Sequence, residues 1–152
     1  MKVFRWLFII CVGCAVLAGC ATVPMASLDK DLEAKSFTPE SGKANLYIAR
    51  RNAYFGSAIT FRIMVDGKPI GSIGPGTYHL ISIEPGQHNI LVSSNENSDQ
   101  IIFEAAAEKN YYFRVLVLMG LLTARTGLEP MDEVSGQLLV IDAKRAMSIW
   151  DY

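Results

Sequence analysis

Tight-turn signals recur about every ten residues through the middle of the chain, and they limit its strands to short lengths. Pro75-Gly76 and Pro85-Gly86 stand ten residues apart. Proline presets φ at the second position of a type II turn, and glycine tolerates the positive φ of the third position. Asp66-Gly67 has the composition of a two-residue hairpin turn, because glycine takes positive φ without a Cβ clash. This spacing predicts a meander of short strands.

Between the turns, apolar and polar side chains alternate as they do in strands with one buried face. The clearest case is the stretch 58–65, in which one face carries the side chains of Ile59, Phe61, Ile63 and Val65. Other stretches with strand character are 44–50, 88–94, 100–106 and 111–118. We therefore predict a mostly β fold, an antiparallel β-sandwich of about seven short strands.

The strand pattern loosens towards the C-terminus. Residues 119–127 are predicted as a loop and residues 128–134 as an edge strand, where Pro130 is tolerated. Ser135 could cap a helix over 137–149. One face of that helix would carry apolar residues at spacings of three and four, namely Val140, Ala143, Met147 and Trp150. We expect this C-terminal helix to cover one end or face of the sandwich.

The first twenty residues have the pattern of an export signal. Lys2 and Arg5 precede an uncharged run from Trp6 to Ala18. A secretory signal needs a basic start, an apolar centre of about 7–15 residues and small residues at the cleavage site. The run Leu17-Ala18-Gly19-Cys20 resembles the lipobox of bacterial lipoproteins, which implies that Cys20 becomes the first mature residue and carries acyl chains such as palmitate. An uncleaved anchor helix and ordinary secretion are the alternatives.

This interpretation divides the chain into three parts. Residues 1–19 form the signal peptide, residues 20–41 the lipidated cysteine and a tether with a short helical patch, and residues 42–152 the β-sandwich domain with its C-terminal helix. Ala21 stands where lipoproteins retained in the inner membrane of double-membraned bacteria usually have aspartate. The resemblance to these lipoproteins therefore implies an outer-membrane location facing the periplasm, with the membrane contacted through the lipid on Cys20.

The charge of the chain argues against a nucleic-acid partner, and its cysteine content argues against a disulfide. The formal net charge is −1, and loss of Lys2 and Arg5 with the signal peptide would make the mature chain more acidic. Because this leaves no basic excess, we expect no nucleic-acid partner. Cys11 and Cys14 leave with the signal and Cys20 takes the lipid, so no disulfide is expected.

Metal ions and cofactors are not expected either. The only histidines are His79 and His88, and a structural zinc site needs about four nitrogen or sulfur ligands. We interpret His88 as a residue that packs or forms hydrogen bonds at the Pro85-Gly86 turn. The chain contains neither a Gly-x-Ser-x-Gly nor a His-Glu-x-x-His motif. We therefore expect a protein that is not an enzyme.

The segment after the first strand is the best candidate for a binding surface. Arg50 and Arg51 could each hold a carboxylate or phosphate through two hydrogen bonds, and Tyr54 and Phe55 could stack on a sugar or peptide. The plainer alternative is an arginine paired with an acid and an aromatic ring folded over the core. Strand alternation directs one ring of Tyr111-Tyr112 inward and the other outward. Tyr112 is included in the candidate surface as a residue beside it.

The predicted loop over 119–127 is unusually apolar for a connection, because it begins with Met119, Gly120, Leu121 and Leu122. Such a loop could contact a partner or the membrane. Burial under the last helix is the simpler alternative.

Six segments of the mature chain carry a family pattern. They are Ala34–Phe37, Lys43–Arg50, Val65–Gly71, Gly76–Tyr78, Pro85–His88 and Tyr111–Val115. In this order they resemble a family of small bacterial lipoproteins described only as a domain of unknown function, number twenty-eight forty-six of that series. The central stretch is also similar to PEGA-type repeats, which are small β-sandwich modules of envelope proteins. At Glu108 the family pattern has a turn glycine. The family has no assigned reaction, so the resemblance implies fold and location and no chemistry.

These observations favour a lipid-anchored protein of the bacterial envelope that acts as a non-enzymatic binding or accessory module. Its contact surface would consist of the loops over 50–56 and 119–127, and its partner would be an envelope protein or a glycan. The alternative is a periplasm-facing hydrolase or ligand-processing enzyme whose site is assembled from separate strands. A pocket with convergent arginine, histidine and carboxylate groups would favour the enzyme, and an exposed aromatic or apolar patch would favour binding.

Overall fold

Nine strands and two α-helices make up the computed structural model, which describes residues 23–151. The strands are β1 (Ala44–Arg50), β2 (Phe61–Val65), β3 (Lys68–Ile73), β4 (Thr77–Ile83), β5 (Gly86–Ser93), β6 (Ser98–Ala105), β7 (Asn110–Met119), β8 (Ala124–Met131) and β9 (Lys144–Arg145). The helices are α1 (Leu28–Ala34), α2 (Glu133–Asp142) and a final 3-10 turn (Ile149–Asp151). The predicted signal peptide and Cys20 lie outside the described residues. Within the described range, no helix is long and apolar enough to cross a membrane.

The strands form a five-stranded sheet, in the order β8-β7-β1-β4-β9, and a four-stranded sheet, in the order β3-β2-β5-β6. This confirms the mostly β sandwich with a C-terminal helix. The prediction of a purely antiparallel arrangement is wrong at two places, because β1 pairs with β7 in parallel and β4 pairs with β9 in parallel. The strand count exceeds the predicted seven, and one of the additional strands is the two-residue β9, which lies within the stretch 137–149 that was predicted as helix.

The predicted meander is wrong at both proline-glycine turns. The Pro75-Gly76 turn joins β3 of the four-stranded sheet to β4 of the five-stranded sheet, and the Pro85-Gly86 turn leads back from β4 to β5. A turn of this kind reverses the chain, but it does not determine which strand the next strand pairs with. Asp66-Gly67, in contrast, forms the predicted hairpin between β2 and β3, with φ of 52° and 73°.

The main core lies between the two sheets. The predicted alternation in β2 is confirmed, since Phe61, Ile63 and Val65 are all buried there and Arg62 is exposed. Each fully buried side chain of this size contributes roughly 1.5–3 kcal/mol. The central strand β1 is buried along its whole length, because its outer face is covered as well.

A second, smaller core lies between the helices and the outer face of the five-stranded sheet. Its centre is a pair of stacked rings, Tyr47 and Tyr112, with centroids 5.1 Å apart. The Tyr47 hydroxyl donates a 2.7 Å hydrogen bond to the carbonyl of Ala34, at the end of α1. Burial raises the pKa of Tyr47, so this hydroxyl stays neutral. Val140 and Ala143 close the cluster from α2 and the residue after it.

The region predicted as a tether is packed on the domain from residue 23 onwards. Asp31 of α1 accepts hydrogen bonds from Lys35 Nζ (2.8 Å), the Tyr78 hydroxyl (2.9 Å) and the Arg145 backbone N–H (2.8 Å). Val23 is itself only 8% exposed. The described part of this segment is therefore a fixed layer of the fold and not a free linker.

The C-terminal helix begins earlier and ends earlier than predicted. It runs from Glu133 to Asp142, and its N-cap is Asp132, whose carboxylate accepts the Ser135 backbone N–H at 3.0 Å. Aspartate is as good a cap as serine. The helix ends at Asp142 because Ala143 is extended, with φ of −100° and ψ of 170°, and Met147 therefore lies outside it. The last long strand also begins earlier, at Ala124, and carries Pro130 on the sheet edge as expected.

The turn before β7 explains the glycine of the family pattern. Glu108 has φ of 61°, in the left-handed region, and its N–H donates a 2.6 Å hydrogen bond to the Lys43 carbonyl. Glycine adopts this conformation without the steric cost that glutamate bears. The turn therefore has the left-handed backbone conformation that explains a glycine in the family pattern, and Glu108 adopts it with some strain.

The Asp66 and His88 side chains hold the hairpin turn to β5, and we predict that they make its stability depend on pH. His88 Nδ1 lies 2.7 Å from Asp66 Oδ2, and Nε2 lies 2.7 Å from the Glu84 carbonyl. Both partners are acceptors, so the doubly protonated ring fits best. Burial lowers the pKa of His88, but the hydrogen bonds to Asp66 and Glu84 outweigh it and leave this pKa raised.

A group with a raised pKa stabilises the fold fully below its unfolded pKa of about 6.5, and that contribution is lost as pH rises through the folded pKa. We therefore expect His88→Gln to lower the urea midpoint most near pH 6 and progressively less towards pH 9. The expected loss is below about 1 kcal/mol, because the pair is partly solvated. A loss in His88→Gln that stays constant from pH 6 to pH 9 would contradict this assignment.

Candidate functional site

Four connections meet at one end of the sandwich, here called the loop end: residues 51–60, 74–76, 94–97 and 120–123. The parallel pairing of β1 with β7 directs the segments that follow both strands to this end. A cavity of about 650 Å³ is lined by residues from three of the connections, including Ile59, Asn95 and Leu122. The structure thus brings together the two loops that the sequence analysis proposed as a contact surface.

The loop end exposes an unusual amount of apolar side chain. The exposed fractions are 98% for Tyr54, 55% for Phe55, 83% for Met119, 92% for Leu121 and 89% for Leu122. Single exposed apolar residues are ordinary on protein surfaces, but several gathered at one end mark a contact region. The alternative of burial under the last helix is wrong for the 120–123 loop, because α2 lies against the outer face of the sheet.

Arg50 is not part of an exposed binding surface, and its assignment to one is wrong. Its side chain is 1% exposed and donates hydrogen bonds to the carbonyls of Ile59 (2.5 Å) and Gly56 (2.7 Å). The guanidinium lies 5.1 Å from the centroid of the Phe61 ring. Desolvation lowers the pKa of Arg50 to about 10, so the group remains charged at neutral pH. Arg50 therefore organises the 51–60 loop from within.

Tyr112 is also buried, although its predicted direction is correct. Tyr111 points into the main core and Tyr112 points to the outer face of the sheet. There α2 covers Tyr112, which is 4% exposed. Arg51, Tyr54 and Phe55 remain at the surface as predicted. The assignment of Tyr112 to the candidate surface is therefore wrong, because strand alternation cannot show whether an outer face is covered.

Glu96 fixes the 120–123 loop and was not identified from the sequence. Its carboxylate accepts the backbone N–H groups of Leu121 (2.8 Å), Leu122 (2.6 Å) and Thr123. These hydrogen bonds lower the pKa of Glu96. Because the loop backbone turns inward to this carboxylate, the leucine side chains project outward. A glutamate in a polar turn gives no sequence signal of such a role.

We predict that Glu96→Ala releases the 120–123 loop without unfolding the sheets. Amide exchange at Leu121–Thr123 should become several-fold faster, because three N–H groups lose their acceptor. Glu96→Gln, which keeps one side-chain oxygen, should fall between the wild type and Glu96→Ala. Since the pKa of Glu96 is lowered in the fold, its contribution is present above pH 4.5 and is lost as pH falls through the folded pKa. Glu104→Ala, an exposed change on β6, is the control, and equal exchange in Glu96→Ala and Glu104→Ala would refute this role.

Two polar side chains join the sheet edges beside this loop. Asn97 donates to the Thr126 carbonyl and accepts from the Thr126 N–H, each at 2.8 Å. Asp99 accepts the Leu128 N–H at 2.8 Å. These contacts satisfy backbone groups of the edge strand β8 that would otherwise be free to pair with another chain. The loop end is therefore a braced structure.

A cleft of about 630 Å³ lies between α2 and the outer face of the sheet. Arg114 forms an ion pair with Glu129 and Asp132 caps α2, and the exposed Arg51 and Asp142 are further charged residues of its lining. Neither His79 nor His88 lines the cleft. Across residues 23–151, no group of three or more histidine, cysteine, aspartate or glutamate side chains is placed to hold a metal ion.

His79 lies in the five-stranded sheet and is fully buried, with Nε2 2.9 Å from the Ser72 carbonyl. His88 lies in the four-stranded sheet, at the opposite end from the loop end. The predicted hydrogen bonding of His88 at its turn is confirmed. The two histidine rings therefore lie in different sheets.

Comparison with known proteins identifies a family and a relative. The family model described as "Protein of unknown function (DUF2846)" matches residues 40–128. An uncharacterised protein of Haemophilus influenzae is 32% identical over 134 residues, which cover 88% of this chain and 79% of that protein. The family match includes all four connections of the loop end and stops before α2.

Proposed function

The chain belongs to the DUF2846 family of proteins of unknown function, and from this premise we propose that it is a lipid-anchored protein of the bacterial envelope that acts as a non-enzymatic binding or accessory module. Its lipid would be carried by Cys20, in the outer membrane facing the periplasm. Its contact surface would be the loop end.

The exposed apolar side chains of the loop end are the observation that carries this proposal. Tyr54, Leu121 and Leu122 are each almost fully exposed, although they belong to loops that are held from inside by Arg50 and Glu96. Holding apolar side chains in water has a free-energy cost of roughly 25 cal/mol per Å². A fold that braces such loops is suited to contact with another component of the envelope.

The chemistry of the cleft supports a binding module more than an enzyme. Arg114 and Glu129 bind each other, Asp132 caps α2, and no histidine belongs to its lining. Catalytic sites instead combine titratable groups that converge on a substrate. A hydrolase would need a set of such groups that converge at one point of the cleft, and the lining supplies no histidine to such a set.

Lipidation is tested by expressing the full chain in a double-membraned bacterium fed an alkyne analogue of palmitate. The wild type and Cys14→Ser should carry the label, because Cys14 leaves with the signal peptide. Cys20→Ser should lose the label and accumulate as a longer precursor. A Cys20→Ser protein that is labelled and cleaved like the wild type would refute the anchor.

The contact surface is tested by placing a photo-crosslinking residue at Leu121 and, as a matched control, at exposed Lys109 of the opposite end. Irradiation of intact cells should give defined adducts with an envelope component at Leu121 and none at Lys109. If both positions gave the same adducts, or neither gave any, the loop end would not be a contact surface.

A further inference from the structure

We propose that the loop end docks on the lipid bilayer itself, with its apolar side chains entering the interfacial layer of the leaflet that holds the anchor. This inference rests on the proposed lipidation of Cys20 and names the lipid surface as the component that the loop end contacts.

Val23, the first residue that the structure describes, lies at the loop end. A Cβ added at Gly74 would lie 3.0 Å from Val23 Cγ2, so Val23 packs against the start of the 74–76 connection of the loop end. The next residues are fixed as well. The Pro24 carbonyl accepts the Met147 N–H at 2.8 Å, and the Ala26 N–H donates to the Arg145 carbonyl at 3.0 Å.

Only a short length of chain separates Val23 from the proposed anchor. Cys20 stands three residues before Val23, and an extended chain spans at most about 3.6 Å per residue, or about 11 Å here. The seven residues of β1 alone extend about 23 Å from the loop end to the opposite end. A lipid on Cys20 therefore keeps the loop end close to the bilayer and the opposite end away from it.

The exposed side chains of the loop end are of the kinds found where a membrane meets water. Tyr54 and Phe55 supply aromatic rings, and Leu121 and Leu122 supply aliphatic groups, all of them exposed. Aromatic rings are enriched where membrane meets water, and shallow burial of apolar side chains adds to the hold of a lipid anchor.

The exposed charges around the loop end favour contact with an anionic surface. Exposed basic residues at or next to the loop end are Arg51, Arg62, Arg125 and Lys144. The acids of the adjacent β5–β6 hairpin, Glu96 and Asp99, have their carboxylates engaged by backbone N–H groups, and Asp142 lines the cleft on the outer face. The basic groups are therefore available to anionic phosphate headgroups, which attract basic residues near the membrane surface.

The helical layer offers a different apolar face and must be distinguished from the loop end. Its exposed residues are Leu28, Leu32, Val134, Leu138 and Ile141. This face lies along the side of the sandwich, whereas the loop end is where Val23 is fixed. A protein lying on its helices would bury Leu138 in lipid instead of Leu121.

The test uses the full chain, purified in its acylated form and reconstituted in phosphatidylethanolamine and phosphatidylglycerol vesicles. With Cys20 acylated, a single introduced cysteine is the only free thiol of the mature protein and can carry an environment-sensitive fluorophore. The labelled variants are Tyr54→Cys and Leu121→Cys at the loop end, Leu138→Cys on α2, and Lys109→Cys at the opposite end.

At Tyr54→Cys and Leu121→Cys we expect blue-shifted emission and several-fold stronger quenching by spin-labelled lipid than by iodide. At Lys109→Cys we expect no blue shift and stronger quenching by iodide than by spin-labelled lipid. Lipid quenching only at Leu138→Cys, or iodide quenching at all four positions, would overturn the bilayer proposal while leaving the anchor intact. The mass of the Cys20 peptide from the same sample reports acylation separately, and an unmodified thiol there would remove the anchor and this inference together.

Discussion

Gly136→Ala should destabilise the protein by about 1–3 kcal/mol, which is the opposite of what this substitution does in an open helix. In an exposed helix interior, alanine is about 1 kcal/mol better than glycine. Here a Cβ at Gly136 would lie 2.5 Å from Tyr112 Cβ and 2.7 Å from Tyr112 Cδ1. Tyr112 cannot retreat, because its ring stacks on Tyr47. The helix must therefore move off the sheet, and Gly136→Val should cost more than Gly136→Ala.

Urea unfolding of the two variants measures this effect. Combining Gly136→Ala with Tyr112→Leu should recover part of the loss, because a smaller side chain leaves room for the methyl group. The single variant Tyr112→Leu completes the double-mutant cycle and measures the free energy that is lost with the ring stacking alone. If Gly136→Ala raised the urea midpoint, α2 would not be packed as closely on Tyr112 as the structure has it.

Arg50→Met should lower the free energy of unfolding by about 2–3 kcal/mol and release the 51–60 loop. Methionine fills a similar volume, but the carbonyls of Ile59 and Gly56 lose their charged donor. Part of the loss is offset, because a desolvated guanidinium no longer has to be buried. Arg51→Met, at the exposed neighbouring position, should change stability by less than about 0.5 kcal/mol.

Thermal unfolding together with amide exchange in residues 51–60 tests this role of Arg50. Exchange should accelerate in Arg50→Met and stay unchanged in Arg51→Met. A variant Arg50→Met that keeps its stability and its slow loop exchange, but loses the crosslinked adduct formed from Leu121, would instead identify Arg50 as a ligand-binding residue.

Strand alternation already contained the signal that Arg50 is buried. Leu46, Ile48 and Arg50 stand at every second position, so they share one face of β1. Leu46 and Ile48 are core residues, and extending the pattern places the arginine side chain inward as well. Its charge made an exposed site the more natural interpretation, since arginine is rarely buried without partners. Here the partners are backbone carbonyls, which a sequence does not display.

The loops of the candidate surface were identified from composition, but their association was not. The apolar character of Tyr54, Phe55, Leu121 and Leu122 is visible in the sequence. Their arrival at one end depends on the parallel pairing of β1 with β7, whose residues are more than sixty positions apart. The role of Glu96 depends on a further long-range approach, between the β5–β6 hairpin and the 120–123 loop.

The sequence by itself determined the short strands, their inward faces, the Asp66-Gly67 hairpin and the presence of a C-terminal helix. These features follow from local chemistry, because φ preferences and the two-residue period of a strand act over a few neighbouring residues. Only the tertiary structure decided which sheet each strand joins, which outer face α2 covers, and whether Arg50 and Tyr112 reach solvent. Those outcomes depend on how apolar faces from distant parts of the chain are buried together, and burial is a property of the packed whole.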